Sequence, residues 1–448
     1  MASIEPALAR TGRLRARYAR WAERPARSLL AGYLAYMTIG WVLLLLPISR
    51  SEVVAPLDSL FIAASAVSTT GLATVDPGSS YSGFGEAVIL SLIQLGGLGY
   101  MTIGSFALIA VQRRLSSHRA ANARAAFELP ERIDPRPFLM SVVLFTLLAE
   151  AAGAAALYPM FRDAGEAAPL WAAIFHSVSA FCTAGFSLFP NSLEDYSAHA
   201  GVSLVISALS LLGAMGFLVV VDVWRSLRRR RARAFFTTKM IVRITAAFLL
   251  LGTALLAIDD PTIAALPLGE RLLAAFFQTM TAATTVGFDT VPISSLGPAS
   301  VMGLLVLMVI GASPAGTGGG LKTTSFAALF ALVRATLRGE SEVRFAGRRL
   351  PEEKLRAAGA SLAYYAGVMS IAMILLLSTE SAPFEQVLFE AVSAVGTVGL
   401  SLGLTGDLTA AGKLIVIVLM TAGRLGILTF GIALARHRPP ENRADPTL

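Results

Sequence analysis

The sequence predicts an all-α membrane protein assembled from four units, each a membrane helix, a short re-entrant helix and a second membrane helix. Three observations carry this reading: a composition suited to lipid, a regular alternation of basic and charge-poor connections, and one motif written four times. Of the 448 residues, 55% are hydrophobic and only 15% charged, against about 25% charged in soluble domains. The mean hydropathy is +0.67. The single cysteine, Cys182, excludes an intrachain disulfide and a cysteine-based metal cluster. No secretory leader is expected, because the arginine-rich start runs into an apolar stretch too long for a leader and without a cleavage site.

Crossing a bilayer takes roughly 20 apolar residues in a helix. Candidate spans lie near 29–48, 87–111, 137–160, 201–221, 240–258, 299–333, 357–379 and 414–435, eight in all. The segments between them alternate in charge. Residues 1–27 hold seven arginines, 112–136 six, 224–239 seven basic residues and 334–356 another seven, and the tail adds Arg436, Arg438 and Arg443. The other connections carry one basic residue each: Arg50, Arg162, Arg271 and Lys413. The positive-inside rule then places both termini in the cytoplasm of a multi-pass plasma-membrane protein. The net charge of +8 reports those cytoplasmic loops in contact with the bilayer, and nucleic-acid binding is not expected. The units are 28–112, 137–224, 238–334 and 357–436, between a cytoplasmic arm, 1–27, and a tail, 437–448.

The repeat is explicit. "FIAASAVSTTGL" (61–72), "FHSVSAFCTAGF" (175–186), "FQTMTAATTVGF" (277–288) and "FEAVSAVGTVGL" (389–400) all obey F-x3-[ST]-A-x2-T-x-G-[LF]. Each copy lies in a charge-poor connection and follows a proline (Pro56, Pro169, Pro267, Pro383), a residue suited to the first turn of a helix. The helix is too short to span, and irregular backbone at membrane depth is tolerated only where it faces protein or water. Four helix C-termini around one axis, each with roughly half a negative charge, stabilise a cation. Exposed carbonyls of T-x-G then replace its hydration shell, with glycine required where φ is positive and a Cβ does not fit. Two copies read Thr-Val-Gly, the opening of the potassium-channel filter TVGYG. Glycines serving helix packing alone do not account for the threonine two positions earlier in all four copies.

From these residues the chain resembles the Trk/Ktr/HKT potassium-transporter superfamily, most closely its KtrB-type membrane pore subunits, over nearly its whole length. The resemblance implies four helix–pore helix–helix units around a pseudo-fourfold pore, and potassium at a selectivity filter. That filter is expected at Thr69, Thr70, Gly71, Thr183, Ala184, Gly185, Thr285, Val286, Gly287, Thr397, Val398 and Gly399. Sodium-passing relatives tend to carry serine at the first glycine, so Gly71 favours potassium; sodium is the second candidate ion. No covalent cofactor is expected.

The sixth span is not a simple helix, since "GASPAGTGGGLKTTS" (311–325) contains five glycines and a proline. It resembles the intramembrane gate loop of Ktr-type proteins, with expected gate residues Gly311, Ser313, Pro314, Gly316, Gly318, Gly319, Gly320, Lys322 and Arg424. Repeats one and two place "GGLGY" (96–100) and "GAMGF" (213–217) at nearly the same depth, and repeat four places Gly423. A phosphate-cradling loop is the competing reading, but the G-x4-G-K-[ST] spacing and the preceding strand are missing. Arg424 sits among apolar residues, where an ionisable group usually marks a pathway. By resemblance it contacts the gate loop and opposes cation passage, the alternative being an arginine that snorkels to the membrane edge.

Glu150 and Glu390 are expected to be hydrogen-bonded structural groups, and His176 a packing residue against a neighbouring span. With no nucleophile–base pair, paired carboxylates or metal cluster, an enzyme is not expected. A secondary transporter of another class, often built from inverted repeats, does not match four motifs on one side. The resemblance further implies a homodimer beneath which docks a ring of nucleotide-binding RCK subunits of the KtrA type, with 224–239 and 334–356 as contact surfaces.

Overall fold

The computed structural model describes residues 25–99, 135–228, 236–314 and 316–435. The arm up to residue 24, residues 100–134 and 229–235, Ala315 and the tail from 436 lie outside the described residues, and with them most of three basic stretches.

Four described helices are long and apolar enough to cross a membrane: Ala26–Leu45, Leu139–Asp163, Phe236–Asp259 and Glu352–Thr379. They belong to α1 (Pro25–Leu45), α4 (Pro135–Asp163), α8 (Phe236–Asp259) and α12 (Glu352–Thr379). Each precedes a short helix: α2 (Pro56–Ser68), α5 (Pro169–Phe181), α9 (Leu268–Thr284) and α13 (Phe384–Gly396). Pro56 and Pro169 open their helices, and Pro267 and Pro383 sit one residue before theirs. Proline suits these positions because its missing N–H has no intrahelical partner there.

In the second and fourth units the second membrane helix departs from the expected single span, and in the third it is interrupted, as expected. In the first unit α3 (Gly83–Leu98) ends at Gly99, beyond which the chain is not described. In the second, α6 (Ala200–Ala214) stops and α7 (Phe217–Arg228) restarts it. In the third, α10 (Pro298–Ile310) and α11 (Thr323–Leu337) flank the glycine-rich loop, as its composition requires. In the fourth, α14 (Ala410–Leu425) and α15 (Ile427–Leu434) meet at 106°. One cause serves all four, a left-handed glycine at the break: Gly99 (φ 77), Gly216 (φ 88), Gly311 (φ 69) and Gly426 (φ 83). Such a φ ends the α-helical hydrogen-bond ladder, and only glycine adopts it without a Cβ clash.

Packing closes a circle. Each short helix lies along its own long helix, and the helix after it leans on the next unit's short helix: α3 on α5, α6 on α9, α10 on α13 and α14 back on α2. In three of these units the second helix approaches its own short helix through a glycine. A Cβ on Gly96, Gly213 or Gly423 would overlap the carbonyl of Val67, Phe181 or Val395 respectively. The last and first units are joined by Lys413 Nζ to Asp58 Oδ1 at 2.6 Å, with side chains only 15% and 14% exposed. A hairpin, β1 (Arg344–Phe345) against β2 (Arg348–Arg349), caps the connection from α11 to α12.

Candidate functional site

The four motif copies converge, and their geometry explains each fixed position. The phenylalanines Phe61, Phe175, Phe277 and Phe389 and the alanines Ala66, Ala180, Ala282 and Ala394 are fully buried. The Ser/Thr position ties down the irregular backbone after the helix. Its carbonyl accepts the N–H of the residue five places on: Thr70 N to Ser65 O at 2.9 Å, Ala184 N to Ser179 O at 2.8 Å, Val286 N to Thr281 O at 3.1 Å and Val398 N to Ser393 O at 2.9 Å. Its hydroxyl accepts the glycine N–H in three copies, Gly71 to Ser65 (3.1 Å), Gly287 to Thr281 (3.0 Å) and Gly399 to Ser393 (3.1 Å). In the second copy Ser179 Oγ donates to Phe186 O at 2.8 Å. Ser and Thr alone supply a short hydroxyl able to reach back in this way.

The motif threonine and glycine both take left-handed backbone in every copy. Thr69, Thr183, Thr285 and Thr397 have φ between 50 and 60, and Gly71, Gly185, Gly287 and Gly399 between 65 and 96. A left-handed threonine is costly, of order 1–3 kcal/mol, and persists where the surroundings over-determine it. The glycines form a closed ring. A Cβ on Gly71 would overlap Ala184 O, one on Gly185 Val286 O, one on Gly287 Val398 O, and one on Gly399 Thr70 O. Every glycine thus meets the carbonyl preceding the next, and the fourth returns to the first.

The loop 311–322 lies against this ring. Its backbone is anchored on the second unit, by Ser313 N to Ala214 O (3.1 Å) and Thr317 N to Gly213 O (3.2 Å), and on itself, by Ala312 N to Gly319 O (3.1 Å). Ser313 Oγ bonds Thr323 Oγ1 at 3.0 Å, closing the base of the loop. All four motif threonines meet the loop: Thr69 Oγ1 donates to Thr317 O (3.2 Å), Thr183 Oγ1 to Thr317 Oγ1 (3.0 Å), and Thr317 Oγ1 to Phe181 O (3.2 Å). A Cβ on Gly318 would meet Thr285 Oγ1, and one on Gly319 would meet Thr397 Oγ1. The hydroxyls of Thr285 and Thr397 are buried and have no hydrogen-bond partner among the described residues. Pro314 and Gly316 line the cavity below the loop. Lys322, itself left-handed (φ 74), turns its ammonium back to Gly318 O at 2.6 Å. Helices flank the loop on both sides, which leaves the phosphate-cradle reading without its strand.

Arg424, expected to contact the loop, donates elsewhere. Its guanidinium bonds Gly96 O, and Gly97 O at 3.2 Å, at the end of α3. These bonds stand where contact with the loop was expected; carbonyls at a helix C-terminus are open to side-chain donors, and Gly96 O also accepts the Gly99 N–H at 3.3 Å. Arg424 and the loop share the cavity below the ring.

The other singled-out groups are bonded structural residues. Glu150 accepts from Gln94 Nε2 at 3.1 Å, and Glu390 from Ser401 Oγ (2.8 Å) and Thr405 Oγ1 (2.6 Å). His176 bonds Ala172 O at 2.8 Å and Ser187 Oγ at 2.9 Å, stacks on Phe189 and packs against Phe161 of α4. Thr317 was not singled out by sequence, since a threonine among five glycines carries no signal of its own. No group of three His, Cys, Asp or Glu side chains able to hold a metal occurs among the described residues.

Comparison with known proteins assigns the chain a family and a fold. Residues 35–444 match the family model TrkH, "cation transport protein". The chain is 36% identical to Ktr system potassium uptake protein B of Vibrio alginolyticus, over 92% of each chain. It is equally identical to the protein of that name from Bacillus subtilis, over 92% of this chain and 93% of the other. Potassium/sodium uptake protein NtpJ of Enterococcus hirae is 32% identical over 94% and 96%. The crystal structure of the potassium transporter TrkH from Vibrio parahaemolyticus superposes with a TM-score of 0.73 at 21% identity, covering 91% of this chain and 83% of that one. The chain therefore belongs to the TrkH family of cation transport proteins, multi-pass membrane transporters and not enzymes.

Proposed function

We propose that the chain is the potassium-conducting pore subunit of a Ktr-type uptake system, with the ring of motif glycines as its selectivity filter and the loop 311–322 as its gate. The ring carries the reading. Four glycines contact four carbonyls in a closed cycle, and a ring of backbone oxygens is the chemistry that replaces the hydration shell of potassium. The buried hydroxyls of Thr285 and Thr397 supply two further oxygens on the inner side. Gly71 in place of serine favours potassium over sodium, and the potassium uptake named for the relatives points the same way.

The gate reading is supported by the loop's contacts with all four threonines, which put backbone where an ion leaving the ring must pass. The positive-inside argument puts the loop on the cytoplasmic side of the ring, with both termini in the cytoplasm. A homodimer served by a cytoplasmic nucleotide-binding RCK subunit completes the proposal, because Ktr systems are named as systems and no nucleotide motif occurs in this sequence. Sodium dependence is a second reading, favoured by the potassium/sodium uptake named for the Enterococcus relative.

Rubidium-86 uptake into proteoliposomes tests the proposal. Potassium should compete with rubidium and sodium should not. Gly71→Ser should reduce the preference for potassium over sodium at least tenfold, about 1.4 kcal/mol. Parent-like selectivity in that variant removes Gly71 from the filter. Stimulation of rubidium uptake by external sodium decides the sodium reading.

A further inference from the structure

Below the loop, on the side away from the ring, lies a cavity of about 880 Å³. Five cationic side chains line it, Lys322, Arg348, Arg349, Lys354 and Arg424, and no carboxylate does among the described residues. Such a lining is opposite to what a cation path calls for, since like charges in a confined, low-dielectric space raise the local potential by several kT.

The charges are not all neutralised locally. Arg349 pairs with Glu342 at 3.1 Å, which also holds Arg344 at 2.8 Å. The hydrogen bond from Arg344, and then the charge of Arg349, keep the Glu342 carboxyl below its ordinary range. Arg348, on the hairpin, stacks its guanidinium 5.3 Å from the Phe236 ring, and it and Lys354 have no acidic partner among the described residues. Both are exposed. Arg424 donates to backbone carbonyls, which leave its charge in place. Thr324 and Ser325, in the first turn of α11, also line the cavity, so the positive end of that helix adds to the field.

We propose that this cavity is a binding site for a phosphate-bearing anion, a lipid headgroup or a soluble phosphate compound, held at the mouth by Arg348 and Lys354. The bound anion neutralises the positive lining. It also offers Lys322 a stronger acceptor than Gly318 O, since a charge-assisted bond to phosphate is about twice as strong as one to a neutral group. Lys322 is the side chain that folds the loop back on itself, so the anion favours release of the loop. This last step rests on the gate reading above; binding itself does not.

Binding is therefore measured without flux. The purified full chain in phosphatidylcholine nanodiscs is titrated with pyrophosphate by calorimetry. In parallel, retention of phosphatidylglycerol is followed by native mass spectrometry. The parent should bind at least one of the two, and Arg348→Ala/Lys354→Ala should weaken that binding at least tenfold while melting at the parent temperature. Arg348→Lys should retain most of it. Phosphatidylglycerol alone assigns the headgroup as ligand, and pyrophosphate alone assigns a soluble one. Binding of neither, or equal binding by parent and double variant, overturns the site. Should the double variant melt early, Lys354→Gln replaces it, with the same outcomes. Loss of anion binding with parent-like rubidium flux contradicts only the coupling to the loop.

Discussion

At the scale of single residues, the motif is a set of interlocking requirements. The Ser/Thr position is explained by one residue doing two things: its backbone carbonyl accepts one N–H of the loop and its side-chain hydroxyl, in three copies, the next. Ser65→Ala removes the acceptor of Gly71 N–H and should cost about 1 kcal/mol. Thermal melting should show the loss, and rubidium uptake should show weaker exclusion of sodium. An unchanged melt and unchanged selectivity would mean the hydroxyl is dispensable. Arg424 holds two carbonyls of α3 from one guanidinium nitrogen, Nη2, at the end of a side chain longer than that of lysine. Arg424→Ala should therefore raise basal rubidium flux several-fold, and Arg424→Lys should lie between it and the parent, since charge stays while the bonds weaken. Parent-like flux in both makes Arg424 a packing residue. The fixed letters of the motif were legible in sequence. Arg424's partners were not, because they are backbone carbonyls more than 300 residues away with no side chain to signal them.

At the scale of elements, the second helix of each unit shows what pattern reading sees and misses. The loop in the third unit announces itself by five glycines and a proline. The breaks in the second and fourth units rest on one left-handed glycine each, Gly216 and Gly426, in runs that read as continuous spans. A single glycine costs a helix about 1 kcal/mol relative to alanine and says nothing alone about its φ. Thr317 is the element-level key, because its hydroxyl and backbone connect the loop to the first and second units. Thr317→Val keeps the shape and removes the hydroxyl's bonds, so rubidium flux through the reconstituted chain should rise several-fold. Shortening 314–320 should raise it further. A folded deletion that abolishes flux would make the loop part of the conduction path and refute the gate.

At the scale of the whole molecule, four units close into a circle, and the closure has its own lock. In the sequence Lys413 stands as a lone basic residue in an outer connection. It is the partner of Asp58, across 355 positions of sequence, and no local pattern announces such a pair. Removing one member of a largely buried pair strands the other, a cost of about 3 kcal/mol. Lys413→Met should lower the melting temperature, and adding Asp58→Asn should restore much of it. If Lys413→Met leaves the melt unchanged, the first and last units are held by packing alone.

The central claim is that the four glycine–carbonyl contacts form one cation-binding ring, and anomalous diffraction from crystals grown in rubidium tests it most directly. The account predicts a rubidium peak on the axis enclosed by Gly71, Gly185, Gly287 and Gly399, within coordination distance of the carbonyls of Thr70, Ala184, Val286 and Val398. A map with no peak inside that ring, and rubidium bound elsewhere in the molecule, would contradict it.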